Sequence, residues 1–509
     1  MQIIDNIMQR LGYSRRTPRR DYDIGRIDRL TSGFKAPVTT ADREIRVTIA
    51  AARGRARELE RNNDYANKFL NMCEVNVVGR QGIILQNKAH DPNGKLDKPA
   101  NAQIENEWWE WCKRGNCTVD GRLSFLSVQK LFIRSVARDG EFLARKIKGY
   151  RGNPWRFALQ LLEPDVLDES YNVEATARTN EIRMGVEYDE WGRPVAYHLR
   201  KKHPGAGYGA AFGERERVPA AEIIHCYIQD RITQGRGMTW LHTAGRRLNQ
   251  IGEYEFAEVV AARIGASKMG FYQRKDQMAG GLYQGDEKDE KGNPISHAEA
   301  GIFETLPDGM EFKEYLPQHP TTQYGAFIKS SLRGASAGMG KGVSYNSLAN
   351  DLEGVNFSSM RVGAIEERDA WKTIQDWMID EFMNGLFADW LSMLLLTDRT
   401  RLPYAKFDKF NAPDWRPRTY DWVDPVKDIE AELSAVRAKW KTERQVVMER
   451  YGMDLEDLYE QISEDAKLKK QYGITSDLGA PVSKPADVAK PNAGDDDDEG
   501  GGNNNVEKN

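Results

Sequence analysis

The sequence predicts an α+β protein built in several layers, on three observations. Its 509 residues exceed what one simple core accommodates and divide into two to four domains or layers. Apolar residues recur at spacings of three and four along both ends of the chain, the signature of amphipathic helices. Alternation with period two is confined to the middle, where it marks a half-buried antiparallel sheet.

The elements follow in order. Ile3, Ile4, Ile7, Met8 and Leu11 make an amphipathic turn or two, followed by a basic arm of Arg15, Arg16, Arg19 and Arg20 broken by Pro18. Such an arm suits either nucleic acid or docking on a neighbour, and docking is the preferred reading. From 41 to about 78 the stripe Ile45, Ile49, Ala52, Ala56, Leu59 predicts a helix, with Asn62-Asn63-Asp64 interrupting it and capping a second segment near Tyr65. Ile83-Ile84-Leu85 is a short apolar stretch. Residues 101–112, with Trp108, Trp109 and Trp111, and residues 124–139, stopped by Gly140, predict two further helices. Phe157, Leu159 and Leu161, then Ile182 to Tyr188 and Val195 to Leu199, read as strands of one sheet, the last two joined by a hairpin loop at 189–194.

Residues 239–266 predict a helix of roughly 40 Å at ~1.5 Å per residue. An exposed loop over 280–294 follows, then strands near 301–304 and 311–315 flanking the turn at Pro307-Asp308-Gly309-Met310. Residues 321–339 are helical and rich in small residues, and a long helix spans 357–396 on the stripe Trp371, Ile374, Met378, Phe382, Leu386. Asp424-Pro425 opens a charged helix continuing to about 451, and Leu455, Leu458 and Ile462 mark a short last one. After about 477 the Pro-, Gly- and Asn-rich tail with the acidic run 495–499 cannot bury a core and is expected to be disordered.

Chemistry is constrained chiefly by exclusion. The net charge of −4 lacks the basic excess of a protein that grips duplex DNA, so any DNA contact is loose or transient. Cys73, Cys112, Cys117 and Cys226 read as reduced cytosolic thiols, since no signal peptide precedes them. Cys112 and Cys117 have a weakly zinc-like spacing without a second ligand pair, so no metal site is expected. The stretch from 334 to 342 looks like a phosphate-binding loop, but Ala335 and Gly342 stand where that loop needs Gly and a hydroxyl residue. His198, His203, His225 and His242 are scattered, and His225 reads as a packed strand residue. Glu366-Glu367 and Asp376 with Asp380 read as solvated helix faces. No catalytic constellation and no cofactor are expected, and no apolar run is long enough for a membrane span.

Five stretches, in order and spacing, resemble the lambda-like portal proteins of tailed bacteriophages. They are Arg57-Glu58-Leu59-Glu60-Arg61-Asn62-Asn63-Asp64-Tyr65-Ala66 running to Gly82-Ile83; Leu162-Glu163-Pro164-Asp165; Gly185-Val186-Glu187-Tyr188-Asp189 with Gly192-Arg193-Pro194; Gln234-Gly235-Arg236-Gly237-Met238-Thr239-Trp240-Leu241; and Gly338 onward to Leu352-Glu353-Gly354-Val355-Asn356-Phe357. The resemblance covers about 40–430.

It implies a ring, usually of twelve subunits, at the capsid vertex, through which double-stranded DNA is packaged and ejected. It further implies an N-terminal arm (1–40), a wing (41–238 and 356–423), two stem helices (239–266 and 319–340), a clip (267–318), a tunnel loop (341–355), a crown (424–475) and an acidic tail (476–509). Lys341, Ser344, Tyr345, Asn346, Ser347 and Asn350 are the candidate DNA-facing residues of the tunnel loop. The implied partners are the terminase large subunit, the major capsid protein, a scaffold or head-maturation protease and a head–tail adaptor, in the virion and, during assembly, the host cytoplasm. The alternatives are a capsid-assembly or head–tail connector protein without a channel, separable by ring formation, and a packaging ATPase, which nucleotide turnover would reveal.

Overall fold

The computed structural model describes residues 29, 33, 38–206, 214–267, 270–274, 287–288, 294–295, 310–314, 323–420, 425–451 and 453–473. The expected N-terminal amphipathic turns, the basic arm, the strand near 301–304 and the acidic tail lie outside them. The chain forms two compact units, 1–425 and 426–509.

Helix α1 (Ala41–Asn62) opens on Thr40, whose hydroxyl accepts from the Arg43 amide, and buries Ile45, Ile49, Ala56 and Leu59. Asn63 ends it and caps α2 (Asp64–Cys73), accepting from the Ala66 amide at 3.0 Å, as the sequence predicts. A π turn, Glu74–Val78, leads to β1 (Ile84–Asn87). Helices α3 (Lys98–Cys112) and α4 (Phe125–Asp139) follow, α4 stopped by left-handed Gly140.

The middle differs from the single expected sheet. Strands β2 (Phe142–Lys148), β3 (Phe157–Leu162) and β8 (Ile223–Cys226) form one sheet in the order β3-β2-β8. A second contains β4 (Glu181–Arg183), β5 (Val186–Tyr188), β6 (Pro194–Arg200) and β7 (Arg215–Pro219), in that order. Alternation identifies strands, but pairing is decided by which faces find cover. Leu143, Leu199 and Ile223 join Leu167, Val186 and Val218 in a small core shared by both sheets. The β5–β6 hairpin closes as expected, Asp189 accepting from Arg193 and Trp191.

The helix expected from 239 starts later, as α5 (Gly245–Ser267). Residues 239–244 are pinned instead: the Trp240 amide and the Thr239 hydroxyl both donate to the Ala137 carbonyl at the end of α4, at 3.0 and 3.2 Å. That leaves one helix-end carbonyl satisfied and the segment unable to continue α5. Strand β9 (Gly270–Arg274) pairs antiparallel with β12 (Met310–Glu314), about forty residues further along the chain. Between them, within the expected exposed loop, β10 (Glu287–Lys288) pairs with β11 (Pro294–Ile295).

Helix α6 (Tyr324–Met339) precedes a one-turn helix α7 (Tyr345–Ala349) inside the segment expected to be a loop. Then α8 (Phe357–Met378), a π turn (Ile379–Met383) and α9 (Asn384–Leu394) run as one continuous rod, matching the expected long helix. After α10 (Phe407–Phe410), β13 (Pro413–Arg416) returns to pair with β1. The main core lies where α3, α4 and this rod meet. Trp108 there contacts Trp111, Phe125, Phe387, Trp390 and Trp415 with ring centroids 4.9–5.7 Å apart, mostly edge-on.

The second unit also corrects an expectation. The charged helix does not reach 451 unbroken: α11 (Pro425–Arg437) ends, Lys439 turns left-handed, and α12 (Glu443–Tyr451) restarts behind Thr442, whose hydroxyl accepts from the Gln445 amide. The last helix, α13 (Leu455–Gln471), is seventeen residues rather than short. Among the described residues no helix is long and apolar enough to cross a membrane.

Candidate functional site

The segment between α6 and α8 opens with three consecutive left-handed residues, Gly340, Lys341 and Gly342 at φ 63°, 56° and 75°. Glycine meets this geometry without cost, whereas Lys341 adopts it against its Cβ. The turn throws the chain against α8, where a Cβ on Gly342 would collide with that of Ala370. The Lys341 ammonium does not swing free: it lies 5.1 Å from the centre of the Trp240 ring.

The rest of the segment is pinned at two points. Ser344 starts α7, its hydroxyl accepting from the Ser347 amide. The Ser344 and Ser347 hydroxyls both donate to Glu367 Oε2 at 2.8 Å, while Trp371 Nε1 reaches Glu367 Oε1 at 3.4 Å. Glu367 is buried, which corrects its reading as part of a solvated face: a carboxylate that collects three donors satisfies its lone pairs without water. At the second point, Tyr345 donates to Asp351 Oδ2 at 2.6 Å and Lys329 pairs with the same oxygen at 3.0 Å. The Tyr345 hydroxyl and Lys329 hold the Asp351 carboxyl down at about 2, and burial with that same carboxylate pushes Tyr345 up to about 12. Val343 and Leu348 are buried between the two points.

The six predicted residues therefore do not converge on one centre. Lys341 goes to Trp240, Ser344 and Ser347 to Glu367, and Tyr345 to Asp351. Asn346 offers its carbonyl to the amides of Asn350 and Asp351, and left-handed Asn350 starts an exposed crest with Leu352, Glu353 and Gly354. Sequence reasoning missed Glu367, Asp351 and Lys329. The Ser-x-x-Ser spacing of a helix cap and the i,i+4 placement of Glu367 and Trp371 were the available signals.

The phosphate-loop likeness dissolves in the fold. Residues 334–339 are the last turns of α6, and the C-terminal end of a helix presents carbonyls, not amides, to a ligand. Cys117 is buried with its thiol on the Leu123 carbonyl, and burial pushes both the Cys112 and Cys117 thiols up. Glu163, Asp165 and His203 do lie at metal-ligand distances from one another. The charge there is already supplied by Arg57 and Arg53, 2.6 and 3.3 Å from Asp165. His225 is packed as expected, but in a polar cluster: its Nε2 lies 2.9 Å from Glu141, which Arg236 and Arg53 also engage. Burial lowers the affinity of His225 for a second proton; it also opposes ionisation of Glu141, but Arg236 and His225 prevail and hold that carboxyl well below its usual range.

The phage portal protein lambda family matches residues 28–375. A probable portal protein of Halomonas phage phiHAP-1 is 37% identical over 464 residues, covering 90% of this chain and 89% of that protein. Portal protein B of Escherichia phage lambda is 18% identical, with 87% and 88% covered. Among solved structures, the neck of an empty gene transfer agent particle, computed with C6 symmetry, aligns with a TM-score of 0.43 at 11% identity, covering 82% of this chain and 97% of that one. With a family match over most of its length and a relative of this identity, the chain belongs to the lambda family of phage portal proteins.

Proposed function

We propose that the chain is the subunit of a closed ring, of twelve copies, at one vertex of the capsid, and that double-stranded DNA enters and leaves the head through it. The observation that carries this reading is the 37% identity to a probable portal protein along nine-tenths of the chain. In this reading 41–238 and 356–423 form the wing, 239–266 and 319–340 the stem, 267–318 the clip, 424–475 the crown, and 1–40 and 476–509 the terminal arm and tail. The segment 341–355 borders the channel, with Lys341, Ser344, Tyr345, Asn346, Ser347 and Asn350 its candidate DNA-facing residues.

Electrostatics support a conduit rather than a clamp. Each phosphate neutralised by a protein cation adds affinity and would brake a moving duplex. Lys341 is the segment's single cation and is committed to Trp240, whereas Asp351 and Glu353 are acidic. The chain supplies the passage. The terminase large subunit, docked at the clip, supplies the chemical energy, and the major capsid protein, a scaffold or head-maturation protease and a head–tail adaptor complete the vertex. The ring works in the virion after assembly in the host cytoplasm.

Native mass and negative-stain images of the purified protein test this. Twelve subunits of 57.9 kDa give a particle of roughly 0.7 MDa with a central hole and closed symmetry. A compact dimer that turns over nucleotide would overturn it.

A further inference from the structure

A cavity of about 390 Å³ opens within the first unit, where β5, β6, β8 and the π turn before α9 meet. Its walls are aromatic, from Tyr188, Tyr197, Tyr227 and Trp377, and Glu381 stands at its edge. Tyr188 and Tyr197 are only 5% and 6% exposed. Tyr227 donates to the Gln234 carbonyl at 2.8 Å, but among the described residues neither the Tyr188 nor the Tyr197 hydroxyl has a hydrogen-bond partner. Neither hydroxyl oxygen is sealed off from solvent, so both are open to a donor or acceptor that enters the cavity. The exposed Glu381 carboxylate likewise has no ion pair among the described residues.

Ring faces, phenolic oxygens and one carboxylate together suit a planar cation with several N–H donors. Rings attract the charge, the oxygens accept the donors, and the carboxylate neutralises what remains. One wall already shows the chemistry: the Arg183 guanidinium lies 4.2 Å from the centre of the Tyr188 ring. The size fits one long side chain rather than a helix or strand.

The chain itself offers such a group. The Gly235 amide, at the cavity wall, donates to Asp42 Oδ1 at 2.7 Å, and Arg231 reaches the Thr39 carbonyl at 3.0 Å. The start of α1 is thus fastened beside the cavity. Residues 1–37 precede it, with eight Lys and Arg against four Asp, and four of the arginines fall within 15–20. The roughly twenty residues between that cluster and α1 span up to about 70 Å when fully extended, long enough for the cluster to reach the cavity beside the start of α1.

We propose that this aromatic cavity binds an arginine of the segment 15–20 of the same chain, so that the basic N-terminal arm folds back onto its own subunit. The guanidinium would lie among Tyr188, Tyr197 and Trp377 and pair with Glu381.

A photo-crosslinker tests the assignment in the full-length protein. p-Benzoylphenylalanine at Gln229, an exposed residue at the cavity edge, should join to a peptide containing 15–20, at the mass of a single chain. Replacing Arg15, Arg16, Arg19 and Arg20 by Gln should lower that yield about tenfold, as loss of one charge-assisted anchor of ~1.4 kcal/mol requires. Glu381→Gln should lower it severalfold, with unfolding midpoints matching the parent protein to show that both variants fold. Crosslinks only to another chain's arm, crosslinks that avoid the arm, or yields unchanged by either replacement would overturn the proposal.

Discussion

Arg236 and Glu141 form an ion pair in which neither side chain has any exposure to solvent. Arg236 also donates to the Met184 carbonyl at 2.9 Å, and Arg53 reaches the other side of the pair at 2.7 Å from Glu141. The pair thereby ties α1, the start of β2 and the loop after β8 together. Losing one partner of a buried pair costs about 3–5 kcal/mol when the other charge is left uncompensated. Arg53 and His225 stay on Glu141 without Arg236, which sets the cost here at the lower bound, about 3 kcal/mol. Arg236→Met is expected to lose that much in urea unfolding. The double variant Arg236→Met with Glu141→Gln should lose less, because position 141 then carries no charge and Arg53 keeps Asp165 at 3.3 Å; equal losses would show that packing rather than charge holds this junction.

Two glycines flank the same junction. A Cβ on Gly237 would overlap the Gly140 carbonyl, and one on Gly140, at φ 93°, would sit 2.5 Å from the Met238 carbonyl carbon. Backbone meets backbone here, and neither side can yield as a flexible side chain would. Gly237→Ala is expected to be among the most destabilising single-methyl additions in the chain, beyond the ~1–3 kcal/mol of ordinary overpacking. Gly149→Ala, at a similar φ but with open space around it, is the control. It should cost only the backbone strain, about 1–2 kcal/mol, and differential scanning calorimetry reads both.

Stability should fall in acid through Glu187. Arg217, 2.8 Å away, with Asn180 and His198, holds its carboxyl down at about 2 from an ordinary 4.5, against the opposing effect of burial. A depressed carboxyl contributes fully above its unfolded value and loses that contribution as pH falls towards the folded one. The difference in melting temperature between the parent and Glu187→Gln should therefore be constant above about pH 5 and shrink between about pH 4.5 and 2. A difference independent of pH would show that the carboxylate's charge is not what stabilises the β5–β6–β7 sheet.

Helix existence was legible in the sequence wherever one stripe met one core, as in α1, α4 and the α8–α9 rod. Caps were legible too, because Asn63 and Gly140 act within a few residues of themselves. Long-range choices were not. The split of the middle strands into two sheets depends on Leu143 and Ile223 finding partners in the neighbouring sheet. The late start of α5 depends on a bond from Trp240 to Ala137, about a hundred residues away. The candidate site was readable as a segment but not as a geometry. Glu367 looks like any helix-surface acid until α7 folds two serines onto it.

That anchor gives the most direct test of the proposal that 341–355 borders a channel. Deleting 342–354 should leave rings intact but impair packaging or DNA retention, yet it would also remove the buried Val343 and Leu348, so lost stability would confuse the result. Glu367→Gln keeps the volume and removes the charge that both serine hydroxyls address. Hydrogen bonds to a charged acceptor contribute about 1.5–3 kcal/mol, and that loss should appear as faster proteolysis after Lys341. The native mass should stay that of the parent, because Glu367 lies in the first unit and is bonded to residues of its own chain. DNA packaged per particle should fall. Faster cleavage with undiminished packaging would remove this segment from the channel wall, and loss of assembly would move it to a contact between subunits.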